Sequence, residues 1–264
     1  MIMQNLKEMS GEKISGDQYI HGSFVKDGTD IHIKSIATFE GFECRLWSPE
    51  FHGIMLDSAI YHAKESECLR RKLKYIVGEV DGVKELAETE SNTENSFRVI
   101  QHSINCVVMS IACLEAWANR IIKNELKGSL KFDRTVKDSL KTVEWGAARI
   151  EKDADLLEKL FVVIPLIYGI PAFKEHVTAR VRIKELINDR NVLVHMKGNP
   201  KINGHVETRR ALSLKLLRRD PLLIVKNIIA PIKIIYEKSN KEQPLWLSEN
   251  IGSLALAEKQ AKKS

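Results

Sequence analysis

At 264 residues, with 44% apolar and 29% charged side chains, the chain is long and apolar enough to bury a sizeable core, which excludes a disordered or fibrous polypeptide. It contains no run of about 18 uninterrupted apolar residues and no apolar segment of signal-peptide length near Met1, so the expected compartment is the cytosol, with no membrane partner. The net charge of +6 is unevenly placed: residues 199–264 hold 13 Lys+Arg against 6 Asp+Glu, whereas residues 1–198 are close to neutral. A basic C-terminal region can attract a phosphate backbone, although a solvated lysine-rich helix face is the commoner cause.

Residues 1–50 read as a small β-containing region. Ile31 and Ile33 alternate with polar neighbours, as do Phe42, Cys44 and Leu46, and Asp27-Gly28 and Glu40-Gly41 supply turn chemistry between the runs. From Ile54 to Val77 the spacing becomes helical, with Ile60, Leu69, Leu73 and Ile76 largely on one side. The polar stretch Glu88–Glu94 is either an exposed helix start or a loop. A strong helix follows from about Phe97 to Leu126, ended by Gly128. Ile104, Val108, Ile111, Ala118 and Ile122 line one stripe of it, and Glu115 and Asn119 fall within that stripe.

A shorter helix is expected from Thr135 to Trp145. Asp153 or Asp155 can cap the apolar segment Leu156–Ile164, which Pro165 and Gly169-Ile170-Pro171 close. The next helix spans about Phe173 to Lys197 and stops at Gly198-Asn199-Pro200. Asp220-Pro221 forms an N-cap and first-turn pair for a helix from Leu222 to Tyr236, with Pro231 bending it. The tail 241–264 reads as peripheral. The expected architecture is therefore mainly α: an antiparallel helical bundle over 51–240, a β-containing appendage over 1–50 and a peripheral tail.

Chemistry concentrates in Asp189-Arg190-Asn191-Val192-Leu193-Val194-His195. Ala179, Ile183, Leu186, Ile187, Leu193 and Val194 define an apolar stripe, and Arg190 lies near its centre. An unpaired guanidinium there costs roughly several kcal/mol, so a carboxylate, a dimer partner or a phosphate must face it. Asn191 and His195 are four residues apart and can meet on one face. His195 falls in the last turn, where the helix dipole favours an imidazolium.

Leu186–His195 resembles the Arg-Asn-x-x-x-His signature of the HEPN (higher eukaryotes and prokaryotes nucleotide-binding) superfamily. Leu114–Ile122, with its Glu115 and Asn119, is similar to the early helix of many such domains, and Leu157-Glu158-Lys159-Leu160 to a mid-domain segment of some bacterial members. The resemblance covers roughly 97–240 and does not extend to 1–50. It implies an all-α bundle that dimerises, acting as a metal-independent endoribonuclease in a toxin–antitoxin or phage-defence setting, with RNA as substrate and a protein antitoxin or regulator as a further partner. Other members are non-catalytic and bind RNA, a nucleotide or a protein. The resemblance makes Arg190, Asn191 and His195 catalytic candidates, with Glu115 and Asn119 in support.

Blander readings stand beside these. Arg190 and Glu115 can form a purely structural ion pair between adjacent helices. On an ideal helix Arg190 and His195 lie about 140° apart, a separation that a second subunit relieves most simply. His21 and His32 lie in candidate strands, and His62, His102 and His176 have no partner at recurring ligand spacing, so neither a metal nor a cofactor is expected. No Gly-rich phosphate loop and no Ser/His/Asp order stands out. The four cysteines, Cys44, Cys68, Cys106 and Cys113, form no Cys-x-x-Cys pair and read as reduced thiols.

Overall fold

The computed structural model describes residues 18–20, 23–25, 34–39, 42–47, 50–77, 84–86, 89–136, 139–172, 177–194 and 212–263. Among them the chain is mainly helical, and it divides into two compact units, Met1–Glu50 and Phe51–Ser264.

The first unit contains two antiparallel hairpins. Strand β1 (Gln18–Ile20) pairs with β2 (Ser23–Val25), and β3 (Lys34–Phe39) pairs with β4 (Phe42–Trp47). Phe39 and Phe42 are register partners at the end of the β3–β4 ladder, and the Glu40-Gly41 turn expected between them lies outside the described residues. Phe42, Cys44 and Leu46 occupy alternate positions of β4. Ile31, Ile33 and Asp27-Gly28 lie outside the described residues.

The second unit is built around α2 (Glu90–Glu125), whose buried positions run from Val99 to Ile122 on more than one face. Thr89 caps it by accepting a hydrogen bond from the Asn92 N–H at 3.2 Å, so the polar stretch before Phe97 is an exposed helix start. Among the described helices α2 alone is long and apolar enough to cross a membrane by composition, and here its apolar side chains pack on protein neighbours. Its largest contact is with α1 (Phe51–Arg71). That helix stops six residues earlier than the periodicity predicts. Tyr75-Ile76-Val77 is β-branched and aromatic, and it forms strand β5 (Tyr75–Val77) against β6 (Lys84–Leu86). The buried Asn92 side chain clamps this exit, accepting from the Lys74 N–H at 2.9 Å and donating to the Lys74 carbonyl at 2.8 Å.

The helix expected over Thr135–Trp145 is instead a hairpin of β7 (Ser129–Val136) and β8 (Ser139–Gly146). Leu130, Phe132, Val143 and Trp145 occupy alternate positions, and the sheet buries Phe132 and Trp145 edge to face at 5.6 Å. The guanidinium groups of Arg134 and Arg149 lie over the Trp145 ring at 4.8 and 4.9 Å.

Helix α3 (Ala147–Asp153) leads to α4 (Leu156–Glu158), which Asp155 caps by accepting from the Glu158 N–H at 2.8 Å. A π-helical turn (Lys159–Val163) follows, then α5 (Ile164–Ile167). Pro165 sits inside this run instead of closing it: proline has no N–H to donate and its ring crowds the carbonyl four residues back, a conflict that the wider turn relieves. The stop comes at Gly169, with φ +71°, where the Gly169 N–H bonds to Leu166 and the Ile170 N–H to Pro165.

Helix α6 (Val177–Val194) and a helical stretch over 212–218 (α7) precede α8 (Pro221–Lys238). Asp220 caps α8 through the Leu222 and Leu223 N–H groups at 2.9 and 3.2 Å, with Pro221 in the first turn. The tail is not peripheral. Residues 245–263 form α9 (Leu245–Lys263), which packs on α1 and α8 and buries Leu247, Leu254, Ala257 and Ala261. Lys259 and Lys262 are exposed, and small and aliphatic residues three or four apart make the packed stripe.

Where α1 meets α2, the Nδ1 atoms of His62 and His102 lie 2.9 Å apart, one donating and the other accepting. Spacing along the chain hid this pair, which is 40 residues apart in sequence. Burial holds both imidazoles below their ordinary 6.5. The charge of His102 adds to the effect at His62 and that of Arg98 at His102, while Glu65 opposes it at both. An unfolded histidine therefore takes up its proton at higher pH than a folded one, so the stability linked to this pair is complete above about pH 6.5 and is lost as the pH falls through the folded values. Thermal unfolding followed by circular dichroism from about pH 7.5 to about pH 5 should show a falling Tm, with a shallower fall in His102→Gln. An equally steep fall in the variant means that other groups set the acid limit.

Candidate functional site

Helix α6 buries little apolar surface. Ile183 and Leu186 are its fully buried apolar residues, while Ala179, Ile187 and Leu193 are half-buried. Val194, expected in the stripe, is exposed, as are Val181 and Val192. Charge supplies the remaining attachment, on two flanks.

On one flank Arg190 Nη2 donates to Glu115 Oε1 of α2, the anion required opposite a guanidinium in an apolar stripe. The pair is not sealed: the Arg190 side chain is 22% exposed and that of Glu115 45%. One turn further along α2, Asn119 Oδ1 accepts from Lys159 Nζ at 2.9 Å, and the same ammonium donates to the Glu151 carbonyl at 2.6 Å. Lys159 is buried in the π-helical turn, and burial lowers its pKa against the opposing pull of Glu151, Glu115 and Asp155. Glu115, Asn119, Lys159 and Arg190 thus form a polar cluster joining α2, the π turn and α6.

On the other flank Asp189, whose side chain is 9% exposed, accepts from Lys215 Nζ at 2.7 Å and from Arg219 Nη1 at 2.5 Å. Arg219 Nη2 also lies 3.6 Å from Glu185, one turn back on α6. Successive residues of one helix point about 100° apart, so Asp189 and Arg190 tie α6 to α7 and to α2 respectively.

The structure brings Arg190, Glu115 and Asn119 to one place and leaves Asn191 exposed beside them. His195 lies outside the described residues, just past the described end of α6. Sequence reading gave no role to Lys159, Asp189, Lys215 or Arg219. A signal existed for two of them. Lys159 and its neighbour Glu158 interrupt the apolar segment Leu156–Ile164, and Asp189 continues the three-residue spacing of Ile183 and Leu186.

Chemically, the cluster offers a half-exposed guanidinium held at a fixed angle, an exposed amide and an ammonium buried behind them, a set suited to gripping an anion. Among the described residues no group of three or more His, Cys, Asp or Glu is placed to hold a metal ion. Cys106 and Cys113 are free thiols, and burial pushes both up to about 12, which makes them poor nucleophiles.

The two flanks differ in exposure and should differ in energy. Asp189→Asn strands two cations around a buried position, so urea unfolding should show a loss of about 1–3 kcal/mol. Glu115→Gln touches a half-exposed pair and should lose less than about 1 kcal/mol. Equal losses would mean that the Arg190 pair carries as much of the fold as the Asp189 pair. No family model, no curated protein and no solved structure matches the chain, so a functional reading rests on these residues.

Proposed function

We propose that the chain is a metal-independent endoribonuclease of the HEPN type, acting as a homodimer in a toxin or phage-defence system, with a protein antitoxin or regulator as a further partner. The observation that carries this reading is the solvent access of Arg190. A guanidinium that served only to lock a core would be sealed within it, whereas this one keeps 22% of its side chain open beside the exposed Asn191. It also stands on α6, whose last described residue, Val194, precedes His195 in the sequence.

Cleaving RNA without a metal needs a group to accept the 2′-hydroxyl proton, a donor for the departing 5′-oxygen, and positive charge where the phosphorane gains negative charge. His195 serves as acid or base, since an imidazole titrates near neutral pH. Arg190 grips the phosphate, and Asn191 orients His195 or the ribose. Glu115 fixes the angle of the guanidinium, and Asn119 holds Lys159 behind it. With two subunits, two histidines divide the base and acid roles, which relieves the separation of about 140° within one helix.

The Arg190–Glu115 ion pair itself favours a second reading, in which the guanidinium is already satisfied and the module binds RNA, a nucleotide or a protein without cleaving. Kinetics separate the two. The cleavage reading expects mixed RNA to be cut to products ending in 2′,3′-cyclic phosphate, unaffected by EDTA. His195→Ala should lower the rate about 10²–10⁴-fold with an unchanged circular dichroism spectrum. Equal rates from folded wild type and His195→Ala would remove the catalytic reading and leave the binding module.

A further inference from the structure

Between α6 and α7 lies an open groove of about 590 Å³, lined by Glu185, Leu214, Lys215, Arg218 and Arg219. Its cationic character extends past its rim, because Arg70 Nη1 donates to the Arg218 carbonyl at 3.3 Å and so places the basic end of α1 alongside. Arg70 and Arg71 both pair with Glu67, as Lys215 and Arg219 both pair with Asp189. The arrangement repeats: in each case a nearly buried carboxylate lies beneath two cations.

The repeat has an electrostatic consequence. Glu67 and Asp189 are 8% and 9% exposed, whereas Arg71 and Lys215 are above 40%. The negative charges are turned inward, where they orient the cations; Arg71 and Lys215 are the exposed members of the two pairs, and Arg70 and Arg219 lie deeper. A guanidinium carries five donors and an ammonium three, so each retains donors after these bonds. Arg218 is exposed and has no side-chain partner among the described residues. Five cations stand against three carboxylates when Glu185 is included, a surplus of two on one face.

We propose that this groove is a secondary docking site for the phosphodiester backbone of RNA, which carries the strand along α7 and over the edge of α6 to Arg190. The proposal rests on the ribonuclease reading above. A single small phosphate would call for donors converging on one enclosed point, whereas here the cations are strung from the end of α1 along α7 and the groove is open. A polyanion laid across them meets one cation after another. Leu214, 44% exposed among the cations, gives a base or ribose an apolar surface. Because Asp189 and Arg190 are successive residues about 100° apart around α6, the groove and the Arg190 cluster flank the same stretch of helix.

Arg218→Ala and Arg218→Glu are the informative variants, since that side chain makes no ion pair among the described residues and its loss should leave the fold unchanged. Binding of a fluorescein-labelled single-stranded RNA to the full chain, followed by anisotropy over a range of salt concentrations, should weaken in the order wild type, alanine, glutamate. The slope of log K against log salt should shrink by about 0.7 for each phosphate that the variant no longer neutralises. In cleavage assays KM should rise while kcat stays unchanged, because the chemistry is carried elsewhere. If wild type binds and cleaves RNA and both variants match it in affinity, slope and KM, the groove is not a docking site and the ribonuclease reading stands. If wild type neither binds nor cleaves RNA, both fall together.

Discussion

Helix α6 holds its position through two ion-paired attachments on adjacent residues, and the geometry of the candidate site follows from that arrangement. Among its described apolar side chains the helix fully buries Ile183 and Leu186 alone, too little to fix both its position and its rotation. Asp189 supplies a nearly buried anchor to Lys215 and Arg219, and Arg190 supplies a half-exposed one to Glu115. Apolar surfaces slide at small cost, whereas a hydrogen-bonded charge pair weakens within a fraction of an ångström. Two such pairs about 100° apart fix the rotation of α6, and with it the direction in which Asn191 points.

The second support is less direct. Pro165 cannot sit in a regular helix without losing a hydrogen bond, and the π turn that accommodates it is also the segment that carries Lys159. From there Lys159 reaches Asn119, one turn beyond Glu115 on α2. A backbone irregularity thus delivers a buried ammonium to the rear of the Glu115–Arg190 pair. The cation remains in so dry a place because Asn119 and the Glu151 carbonyl satisfy two of its donors.

Local signals in the sequence made the caps and stops readable. Asp155 and Asp220 cap helices as their positions suggest, and Gly169 adopts the left-handed conformation that ends one. Each depends on chemistry within four residues, which a single sequence contains in full. Pairings between distant segments were harder to read. The β7–β8 hairpin alternates apolar and polar residues only over the short runs Leu130–Phe132 and Val143–Trp145, and a helical reading of Thr135–Trp145 masks it. The pairing of His62 with His102, and of Asp189 with Lys215 and Arg219, requires knowing which helices adjoin. Helix α9 was obscured for another reason: its packed stripe is made largely of alanine and leucine among lysines, so its composition looked solvated while its spacing was not.

The charge balance of the Arg190 cluster bears on the proposed chemistry. Glu115 neutralises Arg190 in the resting state, and a phosphate arriving there meets a carboxylate as well as a guanidinium. Taken alone, that pair would give an anion little gain. Lys159 changes the sum, since its ammonium lies within the field of Glu115 and is bonded to a neutral amide and a backbone carbonyl, with no carboxylate in direct contact among the described residues. Glu151 and Asp155 also act on this ammonium, so its charge is balanced by several carboxylates at a distance and not by one in contact. Glu115, half-exposed, can turn toward solvent as a phosphate takes its place on the guanidinium. The exchange would then swap one charge-assisted bond for another of similar strength.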